Sequence, residues 1–170
     1  VYKQEFGKWV AVLPFTDGYR LPTEAEWSWA IRYAEQPAPR KFPWGKTWPP
    51  PKDSGNFADL SARELSPSII PAFNDGYAST APVGTFKANA LGIYDGGGNV
   101  SEWVNDWYTV PTPGITVPEV DPMGPERGTS HVIRGSSWRH AGFTEMRLSY
   151  RDYGTDARVD VGFRIARNAD

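Results

Sequence analysis

From residue 37 to residue 79 the chain sustains no period of 2 or 3.6, and its text is Pro, Gly, Asn and Asp punctuated by Trp44, Trp48, Phe57, Phe73 and Tyr77. A segment without strand or helix periodicity has no ladder in which to satisfy its backbone N–H and C=O groups, so it must be either solvated or anchored. Solvated, disordered segments are poor in aromatics. The large rings therefore predict a structured loop, unusually long for a compact domain and in need of an anchor. The same mixture runs through the whole chain, with 8 Trp, 17 Gly and 16 Pro. Helix bundles and doubly wound sheets need longer uninterrupted periodic segments than these residues leave. An α+β, loop-rich fold pinned by aromatics is expected.

At 170 residues the chain fits a single domain, residues 1–170, able to bury a core without disulfide staples. Its formal charge of −2 offers no broad cationic surface for nucleic acid or an anionic membrane. Cysteine is absent, which removes disulfides, thiolate metal sites and thiol nucleophiles together. It also leaves the compartment open, with a periplasmic or extracellular location favoured over a cytoplasmic one. No apolar run approaches the roughly 18 residues of a membrane span. The start Val1-Tyr2-Lys3-Gln4 reads as neither a signal peptide nor a translation start, so a piece of a longer polypeptide is expected.

Two β-prone runs, Val1–Phe6 and Trp9–Leu13, flank Gly7-Lys8 and predict a hairpin. Thr23-Glu24-Ala25-Glu26 forms a capping box ahead of a helix over residues 24–34, whose Trp27, Ile31 and Ala34 recur at helical spacing and should face a sheet. Gln36-Pro37 stops that helix. The glycine run 96–98 leads into what reads as a short turn over residues 99–106. Residues 131–134 and 162–167 read as strands, and residues 146–150 as another strand or extended segment. No internal repeat is visible.

Several ordered motifs carry a resemblance. They are Tyr19-Arg20-Leu21-Pro22-Thr23-Glu24-Ala25-Glu26-Trp27, Pro43-Trp44-Gly45, Asn89-Ala90-Leu91-Gly92-Ile93-Tyr94-Asp95 and Gly98-Asn99-Val100-Ser101-Glu102-Trp103. Arg134-Gly135-Ser136-Ser137-Trp138, the stretch Arg147 to Arg151, and Gly162-Phe163-Arg164 complete the series. The chain resembles the formylglycine-generating-enzyme, or sulfatase-modifying-factor, family over residues 19–167, and matches its C-terminal portion. The resemblance implies an irregular variant of the C-type lectin fold, with few short helices and a small mixed or antiparallel sheet. It also implies an N-terminal remainder of the same domain, supplying early strands and a helix, as a partner.

Calcium takes about six to eight oxygens, mixing carboxylates with carbonyls that glycine-rich backbone presents freely. Read alone, Asn74-Asp75-Gly76 is ordinary turn chemistry. The resemblance implies more: side-chain oxygens of Asn56 and Asp75 with carbonyls of Phe57 and Tyr77 in one set, and Asp95, Gly98, Val100 and Glu102 in a second. Such ions would be structural, gathering carbonyls along a backbone with little regular structure.

The family's best-known reaction oxidises a sulfatase cysteine to formylglycine, using copper held by two active-site thiolates. The segment after Ser137-Trp138, where those thiols should fall, reads Arg139-His140-Ala141-Gly142-Phe143-Thr144-Glu145, so no copper is expected. A related branch contains non-haem iron sulfoxide synthases. A site of His131 and His140 with Glu145 or Asp152 is the weak counterpart here, and a metal-dependent oxidoreductase completed by sequence outside the chain is the runner-up. A calcium-stabilised, noncatalytic binding or accessory domain is the preferred expectation. Trp138, Arg139, His140, Arg147 and Arg151 are the candidates for a peptide, protein or acidic ligand. Against that stands the ordinary use of such arginines in ion pairs that organise loops. A hypervariable ligand-binding protein on the same scaffold, varying residues between Arg139 and Asp160, is the third reading.

Overall fold

The computed structural model describes residues 1–34, 36–111, 114 and 118–168. The predicted hairpin forms from β1 (Tyr2–Glu5) and β2 (Lys8–Ala11), antiparallel with Tyr2 opposite Ala11 and Glu5 opposite Lys8. Phe6 and Gly7 turn it with φ of 49° and 79°, the left-handed pair that matches strand twist in a tight hairpin.

Helix α1 (Glu24–Ser28) begins at the predicted box: the Glu26 N–H donates to Thr23 Oγ1 at 3.1 Å, and the Thr23 N–H donates to Glu26 Oε2 at 2.8 Å. The helix widens into a π-helical turn over Trp29–Tyr33 and ends where Ala34 takes a left-handed φ of 44°. Its buried face, Trp27 and Ile31, joins Val104, Val132 and Leu148 in one apolar cluster. Trp29, on the other face, stays 58% exposed.

Those partners belong to a four-stranded sheet of β3 (Ser101–Trp107), β4 (His131–Arg134), β5 (Arg151–Gly154) and β6 (Val161–Phe163). The order is β5-β4-β3-β6, with β6 parallel to β3 and the other pairs antiparallel. Two expectations are corrected here. Residues 99–106 are not a short turn, because residues 101–107 make β3, the longest strand. Its period of 2 was hidden because two of its buried, inward positions are Glu102 and Asp106, flanking Val104. Acids rarely mark a core face unless something compensates them. Residues 146–150 are not a strand either. They turn, with Arg147 N donating to Thr144 O and Tyr150 N to Arg147 O, and the strand starts one residue later. Met146 and Leu148 alternate because they drop into different cores.

Among the described residues between the π-helical turn and β3 there is neither helix nor strand. Phe42, Phe57, Ile70, Phe73 and Met146 form a second buried cluster, with Trp44 against it. Phe42 stacks on Trp44 at 5.1 Å, Trp44 meets Phe57 edge-on at 5.4 Å, and Phe143 closes on Phe42 at 5.1 Å. The rings do anchor the loop. No helix among the described residues is long and apolar enough to cross a membrane.

Candidate functional site

Asn56, Phe57, Asp75 and Tyr77 come together at the base of this loop. Asp75 Oδ2 accepts from the Phe57 N–H and its Oδ1 from the Tyr77 N–H, each at 2.8 Å. Asn56 is fully buried: its Nδ2 donates to Ser79 O at 2.6 Å, while its Oδ1 is shielded from solvent with no hydrogen-bond partner. Sequence reading missed a fifth member, Asp59, which is also fully buried. Asp59 Oδ2 accepts from the Asp75 N–H, and Oδ1 accepts from both the N–H and the Oγ–H of Ser61 at 2.7 Å. Its spacing three residues after Asn56 was the available signal.

Burial pushes the Asp75 carboxyl up to about 6 against the pull of the Tyr77 and Phe57 N–H groups, and the neighbouring Asp59 carboxylate raises it further. The two acids thus pair at the base of the loop, where Asp75 also holds the N–H of Phe57 and the amide oxygen of the preceding Asn56 has no donor. Backbone closes the floor: a Cβ on Gly98, at φ +93°, would meet Asn56 O at 2.8 Å, a clash only glycine avoids. Asn99 then bonds Asn56 O through its N–H at 2.8 Å and clasps Ala81 through its amide at 3.0 and 3.2 Å. Hard cations take carboxylate, amide and carbonyl oxygens, so the kinds of residue present fit calcium.

The second set, Asp95, Gly98, Val100 and Glu102, is arranged differently. Trp27 Nε1 donates to Glu102 Oε2 at 2.7 Å, and Arg164 forks onto both Glu102 oxygens, its Nε at 2.6 Å from Oε2. Arg164 Nη2 also reaches Tyr94 O at 3.2 Å and Asp95 O at 3.5 Å, while Asp95 Oδ2 accepts from the Gly84 N–H at 3.1 Å. In this arrangement the positive charge beside Glu102 is a guanidinium. Among the described residues no three His, Cys, Asp or Glu side chains converge on one point. An ion in either set would therefore depend on amide and carbonyl oxygens.

The candidate ligand residues divide. Trp138 is buried at 7% exposure, its Nε1 shielded and without a partner, and Arg139 lies over its ring at 5.7 Å. Arg139 and His140 line a cleft of about 570 Å³ with Glu145, Arg158 and Asp160. There His140 Nδ1 accepts from the Ser137 N–H at 3.0 Å, which places the ring proton on Nε2. Burial holds its pKa below the usual histidine value. Ser137 Oγ donates to Asp160 Oδ2 at 3.0 Å. Burial pushes the Asp160 carboxyl up, but Ser137 and Arg158 together hold it below its ordinary value. Arg147 is exposed on the turn preceding β5. Arg151 is engaged elsewhere, forked onto Glu24 at 2.7 and 2.8 Å at the start of α1 and bonded to Thr109 O.

The iron site drawn from both histidines does not assemble. His131 stacks on Trp107 at 3.8 Å with its Nδ1 against Asn105 O, while His140 faces Ser137.

The profile of the Sulfatase-modifying factor enzyme 1-like domain matches residues 2–169. The formylglycine-generating enzyme of Streptomyces coelicolor is 37% identical over 157 residues, covering 90% of this chain and 48% of that protein. Among solved structures, Treponema denticola variable protein 1 superposes with a TM-score of 0.61 at 32% identity, over 89% of this chain and 48% of that one. PvdO from Pseudomonas aeruginosa gives 0.61 at 27% identity, over 89% and 53%. The chain spans at most about half the length of the first curated relatives it matches.

Proposed function

The chain belongs to the sulfatase-modifying factor enzyme 1-like family, and from that premise we propose that it is a calcium-stabilised, noncatalytic binding or accessory domain. One observation carries the calcium reading: Asn56 Oδ1 is buried without a donor, in the residue next to Phe57, whose N–H the Asp75 carboxylate accepts. Leaving a buried acceptor unpaired costs about 1–3 kcal/mol, and a divalent cation would satisfy it and neutralise the acids together. Glu102 takes an ion only where Arg164 yields, so the first set is the stronger site. The noncatalytic reading follows from the absence of any thiolate in this chain. Cu(I) selects soft sulfur ligands, and His140 and Glu145 stand in the segment where the resemblance places them. The cleft beside Arg139 and His140 is then the surface for a peptide or protein ligand.

Metal content and thermal melting test both halves. Protein dialysed against chelator should melt about 5–10 °C lower and recover with calcium, and Asn56→Ala should abolish the recovery. A verified calcium-free protein with an unchanged melt would remove the ion. Copper and oxygen supplied with a cysteine-containing sulfatase peptide should yield no formylglycine; turnover by this chain would remove the noncatalytic reading.

A hypervariable binding protein is a second reading. Its support is the likeness to Treponema denticola variable protein 1. Near-copies differing only between Arg139 and Asp160 would favour it; uniform divergence along the chain would not.

A further inference from the structure

A second cleft, of about 650 Å³, opens between the glycine run at residues 96–97 and the proline-rich loop at residues 43–55. Its volume falls within the range of about 300–1,000 Å³ typical of small-molecule sites. It is separate from the Asp59–Asp75 pair and from the cleft at His140, and it shares Asp95 with the second candidate ion set. Arg40, Lys52 and Lys87 line it. None of the three forms an ion pair among the described residues: Arg40 bonds only the carbonyl of Pro43 at 3.5 Å, and both lysines are exposed. The two acids on the same wall are Asp53, which is exposed, and Asp95, whose carboxylate already accepts from the Gly84 N–H. Cations thus outnumber acids at the cleft.

The rest of the wall has two characters. Trp44 and the largely buried Phe86 contribute apolar surface, and Trp44, one face of which is stacked on Phe42, has its indole N–H occupied by Thr47 O at 2.8 Å. Ser54 has a shielded Oγ with no hydrogen-bond partner. That hydroxyl makes no internal hydrogen bond that a ligand would have to break. Gly45, at φ +126°, has nothing within 4 Å of where its Cβ would stand, which keeps this part of the wall free of side chains.

We propose that this cleft binds an organic oxyanion, a carboxylate or phosphate carried on a flat, apolar body. The anion meets Arg40, Lys52, Lys87 and the Ser54 hydroxyl, and the body lies against Trp44 and Phe86. Neither contact suffices alone at a partly open site, since exposed charge pairs contribute at most about 1 kcal/mol.

Three probes separate these contacts: benzoate carries both parts, acetate the charge alone, and benzamide the ring alone. Titrated into isotope-labelled protein in calcium-containing buffer, benzoate should bind in the millimolar range, as a fragment this small allows. It should shift the Trp44 indole and the amides of Ser54 and Gly55. Acetate and benzamide should each bind at least about fivefold more weakly. Lys52→Glu with Lys87→Glu, two exposed positions, should leave melting unchanged and weaken benzoate at least about tenfold, whereas Lys8→Glu on the distant hairpin should not. Benzamide equal to benzoate would overturn the role of charge, and acetate equal to benzoate the role of the rings. Shifts centred on Arg139 and His140, or none at 20 mM benzoate, would overturn the site.

Discussion

The two halves of this domain reach order by different means. Helix α1 and strands β3–β6 satisfy their backbone through a helix and a ladder, and bury Trp27, Ile31, Val104, Val132 and Leu148 between them. The segment from residue 36 to residue 100 has no such ladder. It hangs from a cluster of stacked rings and from side chains that bond backbone directly, Asp59, Asp75, Asn89 and Asn99 foremost. Charge is handled differently too. Of the sheet's two buried acids, Glu102 has its own arginine and Asp106 the Glu24 N–H, whereas buried Asp59 and half-buried Asp75 of the loop have no ion-pair partner among the described residues. A ladder tolerates loss of one side chain; a loop tied at a few points does not.

The largest expected effect lies in the loop. Phe57→Ala removes a fully buried ring touching Trp44 and Phe73 and should cost about 3–5 kcal/mol in denaturant unfolding. The change should release the amides of residues 54–81 before those of β3 and β4. Simultaneous release of both halves would break the contrast. In the sheet, Arg164→Met leaves Glu102, at 4% exposure, without its cation and should cost about 3 kcal/mol in chelator. Recovery on adding calcium, measured by melting, would show that the second set takes an ion once the guanidinium is gone.

A pH prediction follows from Asp106 at the junction of helix and sheet. Burial pushes its carboxyl from 3.8 up to about 6, although the Glu24 N–H, donating at 2.6 Å, pulls it down. The folded chain therefore binds this proton more tightly than the unfolded one. The resulting stability is full below pH 3.8 and is lost as pH rises through 6, by at most about 3 kcal/mol. Asp106→Asn should flatten the melting profile between pH 5 and pH 7 relative to the parent; an unchanged slope would contradict it. Smallest of the set, Thr23→Ala should cost about 1 kcal/mol by removing the cap on Glu26 N.

What the sequence disclosed follows the same division. Local chemistry was legible: Gly7 turns the hairpin, Thr23 and Glu26 cap the helix, and Trp27 and Ile31 face the sheet. The aromatic anchor was legible because rings in a proline-rich text have few other uses. β3 was not, since Glu102 and Asp106 look like solvent residues until Arg164, Trp27 and the Glu24 N–H are brought to them by the fold. Asp59 escaped notice for a related reason: its partner Asp75 lies 16 residues away, beyond any local pattern. The pairing of Arg151 with Glu24 was not legible either, since the two lie 127 residues apart and meet only where β5 comes beside α1.

Hydrogen exchange resolved along the chain, with calcium and with chelator, tests the central claim that an ion at Asn56, Asp59 and Asp75 ties down the loop half. The account predicts lost protection on chelation at residues 54–61 and 73–81, with β3 and β4 holding theirs. Equal protection in both buffers, or loss spread evenly over loop and sheet, would contradict it.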